Sequence, residues 1–368
     1  MGNIGYILGT IVDGCVDIFT LIEVQTKQNR IQGRLIDGSS PGAMGVISLL
    51  KRLRDVRPTD DWCVVPPVSL NQAIEKKGEG IAVFFRNNKV DFTGPLYYKG
   101  EDREPDNQPT GAVAYPETWN SALPPNNFRA PEVIPLTPLN ESLQNEVSRG
   151  VQLTSFSLKD SGQDRTLLLF SVHLKPEEGP AQKELSIILE HPQFKTLKQT
   201  EVAVITGDTN YDFVNNKIDI RQSLNGCFFK GFRKGMEGEY GKSHPTMIED
   251  VSAATLETNH GTAGGTSGLR RYQIRKGKPR YLDNAYVRYG KNPLGQVVNA
   301  RVVDRVQGTP QEWSSHMTQT VEDLEMEYPS ETHQMEQNDE FRLPWNYGHM
   351  GPGEKGVSDH LPIVIDIP

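Results

Sequence analysis

From Val202 to Asp212 the chain reads Val-Ala-Val-Ile-Thr-Gly-Asp-Thr-Asn-Tyr-Asp, and no other stretch narrows the possible folds as far. Val202 to Ile205 are apolar and mostly β-branched, which suits a strand buried on both faces. Gly207 then lets the backbone turn sharply, so the Asp208 carboxylate and the Asn210 amide are expected at the strand's C-terminal end. Layered α/β folds place their chemistry there, because a strand end is rigid yet open to solvent. An ordinary Asp/Asn turn uses the same residues. The other strands have to decide between the two.

Upstream, Ile4 to Phe19 carries apolar residues at helix-like spacing and runs into Val16-Asp-Ile-Phe-Thr-Leu-Ile-Glu-Val24, a predicted buried strand ending at Glu23. A carboxylate there either begins the solvated surface or sits at a site's mouth and binds a cation. Ser39 to Gly45 reads as a loop of small residues, and Ala43 to Leu53 as a helix with a basic end at Lys51, Arg52 and Arg54. Cys63 to Val65 predicts a short strand stopped by Pro66 and Pro67. Glu79 to Arg86, an Asn87-Asn88 turn and Lys89 to Phe92 predict a hairpin. A second hairpin is predicted from Val151 to Leu158 and Arg165 to Leu174, with His173 at its end, and Glu184 to Leu197 reads as a helix leading back to Val202. Tyr281 to Arg288 is a predicted strand with Asp283 inside it, an odd place for a carboxylate without a partner. Val297 to Val306 predicts another strand. The last runs through Val357-Ser-Asp-His-Leu-Pro-Ile-Val-Ile-Asp-Ile367. Asp359 and His360 can serve one site if they sit where that strand begins, before its pleat is set.

The chain has 368 residues, enough for one large domain, with surface insertions expected at about 97–138, 225–280 and 312–350. Its three cysteines, Cys15, Cys63 and Cys227, form no zinc-type cluster and imply no disulfide framework. No apolar run is long enough to span a bilayer and no secretory signal opens the chain, so the sequence reads as soluble. A net charge of −8 argues against coating nucleic acid by bulk charge. Local basic stretches remain: Lys230, Arg233 and Lys234 interleaved with phenylalanines, and Arg270, Arg271 and Arg275 in a run without acids. Such stretches suit a phosphate backbone, or are simply solvated loops. The segment 312–340 is acidic, without Lys or Arg, and is a candidate surface for a protein partner.

The signals at strand ends stand in a fixed order: Glu23 in DIFTLIEV, Glu79 in EGIAVFFR, His173 in SVHL, Asp208 and Asn210 in TGDTNYD, Asp283 in YLDNAYVR, and Asp359-His360 in SDHLPIVI. Together they resemble the endonuclease/exonuclease/phosphatase superfamily, the deoxyribonuclease I-like fold. The resemblance implies a four-layered α/β sandwich, two mixed β-sheets packed face to face and flanked by helices. It implies that Glu23 and Asp359 hold Mg²⁺ or Mn²⁺, that His360 pairs with Asp283 and His173 with Glu79, that Asp208 orients or deprotonates water, and that Asn210 holds the phosphate. The activity implied is metal-dependent hydrolysis of a phosphodiester by in-line water attack, with DNA or RNA as substrate. Phosphatases and phospholipases acting on inositol phosphates or sphingomyelin share the fold, and a non-catalytic binding protein is a third reading. The family also opens with a strand bearing an Asn beside the metal. This sequence opens on the helix instead, so the expectation is that it lacks that first segment.

Overall fold

The computed structural model describes residues 11, 15–26, 31–71, 78–136, 149–159, 165–175, 178–211, 228–229, 283–290, 299–302, 349–351, 354–355 and 363–366. In chain order the elements are β1 (Ile18–Thr26), α1 (Pro41–Val56), β2 (Trp62–Ser69), β3 (Gly78–Arg86), β4 (Val90–Gly94), β5 (Leu96–Tyr97), α2 (Glu117–Asn120), β6 (Arg129–Ala130), β7 (Glu132–Ile134) and β8 (Val151–Leu158). There follow β9 (Arg165–His173), α3 (Glu178–Glu190), α4 (Pro192–Lys195), β10 (Glu201–Asp208), β11 (Phe228–Phe229), β12 (Asp283–Tyr289), β13 (Asn299–Val302), β14 (His349–Gly351), β15 (Glu354–Lys355) and β16 (Ile363–Asp366).

Two sheets organise these strands. The first runs β1-β3-β2; the second runs β11-β12-β10-β9-β8-β4, with β7 also on β8. The second is mixed, because β9 and β10 are parallel while their other neighbours are antiparallel. The first, expected to be mixed, is antiparallel throughout its described strands.

Alternation of side chains builds two cores. On the face of the second sheet turned to the first, Phe156, Leu167, Leu169, Val202, Val204 and Val287 join a cluster that includes β1, β2, β3 and α1. Phe85 of β3 meets Phe156 edge-on at 5.4 Å between ring centroids. On the other face, Leu153, Phe170, Val172, Ala203, Ile205 and Tyr286 pack on Ala181, Leu185, Ile188 and Leu189 of α3. The continuous apolar run at Val202–Ile205 is therefore required: even positions fill one core and odd positions the other, each large side chain contributing about 1.5–3 kcal/mol. Helix, sheet, sheet and helix give the four layers of an α/β sandwich.

α1 starts two residues before the expected Ala43. Ser40 caps it by accepting the Ala43 N–H at 3.3 Å, and Pro41 occupies the first turn, where no N–H is needed. α3 begins at Glu178 rather than Glu184, and Pro192 divides the predicted 184–197 helix into α3 and α4.

Three further sequence readings differ from the structure. Pro66 and Pro67 do not stop β2, which runs on to Ser69; the ladder to β3 shifts register between Val65 and Val68. Among the described strands β2 lies at the edge of its sheet, so prolines at a bulge remove little pairing. The Asn87-Asn88 turn is real, with Lys89 N–H donating to the Arg86 carbonyl at 2.9 Å, but it does not make a hairpin. β3 stays in the first sheet, whereas β4 pairs with β8 in the second, so the turn carries the chain across the sandwich. The stretch 97–138, read as a surface insertion, is exposed along most of 101–114 but packed in at Tyr98, Tyr115, Trp119, Ala122 and Leu123. β7 adds to the second sheet, and Trp119, 1% exposed, donates its indole N–H to the Ile36 carbonyl at 3.0 Å. Among the described residues no helix is long and apolar enough to cross a membrane.

Candidate active site

The parallel register of β9 and β10 sets His173 opposite Asp208, and the antiparallel register of β10 and β12 sets Asp208 opposite Asp283. One row across three neighbouring strands thus carries three of the residues marked by the sequence. Gly207, at φ +130°, makes the row possible, because a Cβ there would collide with the Val172 carbonyl of β9. Asn210 sits in the left-handed region at φ +47°, which Asn tolerates better than most residues. Its backbone N–H donates to Asp208 Oδ1 at 2.8 Å, and its Nδ2 donates to Asp208 Oδ2 at 3.1 Å and to the Leu174 carbonyl at 2.8 Å. Expected to hold a phosphate, Asn210 directs one side-chain amide hydrogen to the Asp208 carboxylate and the other to the Leu174 carbonyl.

Glu79 arrives from the first sheet at the start of β3, where its Oε2 lies 3.2 Å from His173 Nδ1. This is the Glu79–His173 pair implied by the resemblance. Nε2 of the same ring faces two more carboxylates, Glu23 Oε1 at 3.6 Å and Asp208 Oδ2 at 3.7 Å. Burial disfavours the imidazolium, but the hydrogen bond and charge of Glu79, helped by Asp208 and opposed by Arg149, raise the His173 pKa above its ordinary value. Burial likewise pushes the Glu79 carboxyl up, and the His173 hydrogen bond with the charges of His173 and Arg149 more than reverses this, leaving it lowered.

Glu23 corrects the sequence reading in an instructive way. β1 does not end there but continues to Thr26. Leu21 pairs with Ala82 and Val24 with Gly80, so one extra residue bulges out of β1, and Glu23 takes φ +58°. The bulge breaks the alternation and turns the carboxylate toward His173 of the facing sheet. Its side chain remains 48% exposed.

Sequence reasoning missed Arg149. Its Nε forms an ion pair with Glu79 Oε1 at 2.6 Å, and its Nη1 donates to the Leu174 carbonyl at 2.8 Å. The only local sign was a cation just before the β8 strand, since both of its partners lie far away in the chain.

The remaining expected residues are placed less fully. Asp283 is fixed by its backbone register with Asp208. Asp359, His360, Lys230, Arg233, Lys234, Arg270, Arg271 and Arg275 lie outside the described residues, as does all but 228–229 and 349–350 of the insertions expected at 225–280 and 312–350. Among the described residues no group of three or more His, Cys, Asp or Glu is disposed to hold a metal ion. Glu23 fits as one ligand, a half-exposed oxygen donor of the type Mg²⁺ takes. Asp208 is turned inward onto Asn210 and His173.

No model of a known protein family matches the sequence, and no curated protein matches it. Solved structures similar to this one include an endonuclease/exonuclease/phosphatase family protein from Leptotrichia buccalis, 14% identical, covering 83% of this chain and 86% of that one at a TM-score of 0.43. Others are humanized D. rerio TDP2, 11% identical over 83% of this chain and 82% of that one (TM-score 0.36), and the human Nocturnin catalytic domain, 10% identical over 81% and 76% (TM-score 0.39). Likeness at this level assigns no activity to the chain.

Proposed function

We propose that the protein is a Mg²⁺-dependent phosphodiester hydrolase acting on nucleic acid. The observation that carries this reading is the convergence of Glu79, His173 and Asp208 at one end of the sandwich, with Glu23 aimed at the same imidazole from the opposite sheet. A phosphodiester is already anionic, so its hydrolysis calls for hydrogen-bond donors and positive charge where negative charge builds, and for a base that positions water.

His173 suits the first task. Glu79 accepts from Nδ1, fixing the ring's orientation, and the raised pKa favours a proton on Nε2, which faces the Glu23–Asp208 gap. Asp208 suits the second, because Asn210 holds both its oxygens in place, as a base aligning a water requires. Glu23 and Asp359 would hold the metal, which when bound supplies a further charge to the phosphoryl oxygens. The interleaved basic and aromatic residues at 228–234 and the basic run at 269–280 support a nucleic-acid substrate.

The test is cleavage of supercoiled plasmid and of single-stranded DNA and RNA oligonucleotides with Mg²⁺ and with EDTA, with His173→Ala as control. The expected result is Mg²⁺-dependent cleavage reduced at least ~100-fold in the variant. Phosphate or headgroup release from inositol phosphates or sphingomyelin, with nucleic acid left intact, would replace the nuclease by a phosphatase or phospholipase of the same site.

A further inference from the structure

We propose that Arg149 is a positioning residue that holds the two halves of the site in one geometry; this rests on the hydrolase reading above. An Arg bridging a carboxylate and a carbonyl is commonly a structural staple. Here its two acceptors lead to different functional side chains. Through Nε it reaches Glu79 Oε1, whose other oxygen meets His173 Nδ1. Through Nη1 it reaches the Leu174 carbonyl, which also accepts the Asn210 amide that fixes Asp208. The Leu174 N–H donates in turn to the Asp208 carbonyl at 2.9 Å, so one residue ties β9 to β10 beside the side chains they present.

The backbone shows why Arg149 can reach both. Gly150 N–H donates to the Leu70 carbonyl at 2.6 Å, and Leu70 N–H donates to the Glu79 carbonyl at 2.9 Å. A Cβ on Gly150 would press on Val133 and the Leu70 carbonyl, so glycine permits this close approach. Asn71 bridges to Arg149 and accepts the Glu79 N–H on its Oδ1 at 3.2 Å. The start of β8 is thereby docked against the β2–β3 connection, where the first sheet delivers Glu79. Nη1 donates a directed hydrogen bond to the Leu174 carbonyl while the guanidinium charge lies against Glu79 Oε1, whereas an ammonium on a flexible stem satisfies only one of the two at a time.

Arg149→Lys and Arg149→Met test this in the full chain. Both variants are expected to fold, with far-ultraviolet circular dichroism unchanged. Nucleic-acid cleavage should lose ~10-fold in kcat for Lys and ~100-fold for Met, with KM within about twofold in each. In a Glu79→Gln background the Met substitution should cost only ~10-fold more, because half of its task is already gone. Wild-type kcat in Arg149→Lys, or losses that multiply independently with Glu79→Gln, would overturn the proposal. A readout independent of turnover separates its failure from that of the hydrolase reading. In nuclear magnetic resonance spectra of the metal-free protein, Arg149→Met should shift both the His173 ring nitrogens and the Asn210 side-chain amide protons. If wild type cleaves nothing but both resonances move, the hydrolase reading falls and the linkage stands. If the Asn210 amide stays in place, the linkage falls.

Discussion

Glu79→Gln removes the carboxylate lying between Arg149 and His173, and the result is readable as stability against pH in EDTA. The Glu79 pKa is lowered by folding, so the stability it confers is complete above the unfolded carboxyl's value, about 4.3, and is lost as pH falls through the folded value. The His173 pKa is raised, so its contribution is complete below the unfolded imidazole's value, about 6.5, and is lost as pH rises through the folded value. The pair therefore contributes most between roughly pH 4.3 and 6.5. Removing one partner of a buried ion pair costs about 3–5 kcal/mol. Glutamine keeps an oxygen near His173 Nδ1 and Arg149 is 24% exposed, so a loss below that range, roughly 2–3 kcal/mol near pH 5.5, is expected. Above the folded imidazole's pKa His173 is neutral in both proteins, and only the Arg149 contact distinguishes them, about 1 kcal/mol. Urea unfolding followed by tryptophan fluorescence between about pH 4.5 and 9 measures the difference. A gap that does not change with pH, or that widens above neutrality, would refute the reasoning.

Glu23→Gln should leave stability within about 0.5 kcal/mol, since the side chain is half exposed; calorimetric Mg²⁺ affinity should fall at least ~10-fold. Gly207→Ala should cost more than about 3 kcal/mol by urea unfolding, because a β-carbon meets the Val172 carbonyl and the φ of +130° is strained for alanine. Burial pushes the Cys63 thiol up to about 11, so at about pH 8 iodoacetamide should label exposed Cys15 and spare Cys63, as read by mass spectrometry of their peptides.

What the sequence made legible was whatever a single segment decides. The β10 strand and its turn could be read because β-branching, Gly207 and Asn210 act locally. Helix α1 was read with its basic end at Lys51, Arg52 and Arg54, although its start needed the Ser40 cap and Pro41. Glu23 was found as a residue but misplaced as a strand end, because a bulge leaves no mark in the alternation when the extra residue is not glycine. Asn87-Asn88 announced a turn but could not say that the strands on either side join different sheets. Trp119 lay hidden in a stretch whose proline and polar content suggested surface, and its buried indole depends on a carbonyl at Ile36. Arg149 was invisible for the same reason: neither Glu79 nor Leu174 is near it in the chain.

The groups that converge on the His173 imidazole are spread from residue 23 to residue 208 and come from both sheets. A growing chain therefore carries an inert collection of acids and a histidine until β10 has emerged and paired in parallel with β9, a slow, non-local step. The arrangement exists only in the finished product: a truncated or stalled polypeptide, however well its first sheet forms, presents the imidazole without its ring of acids.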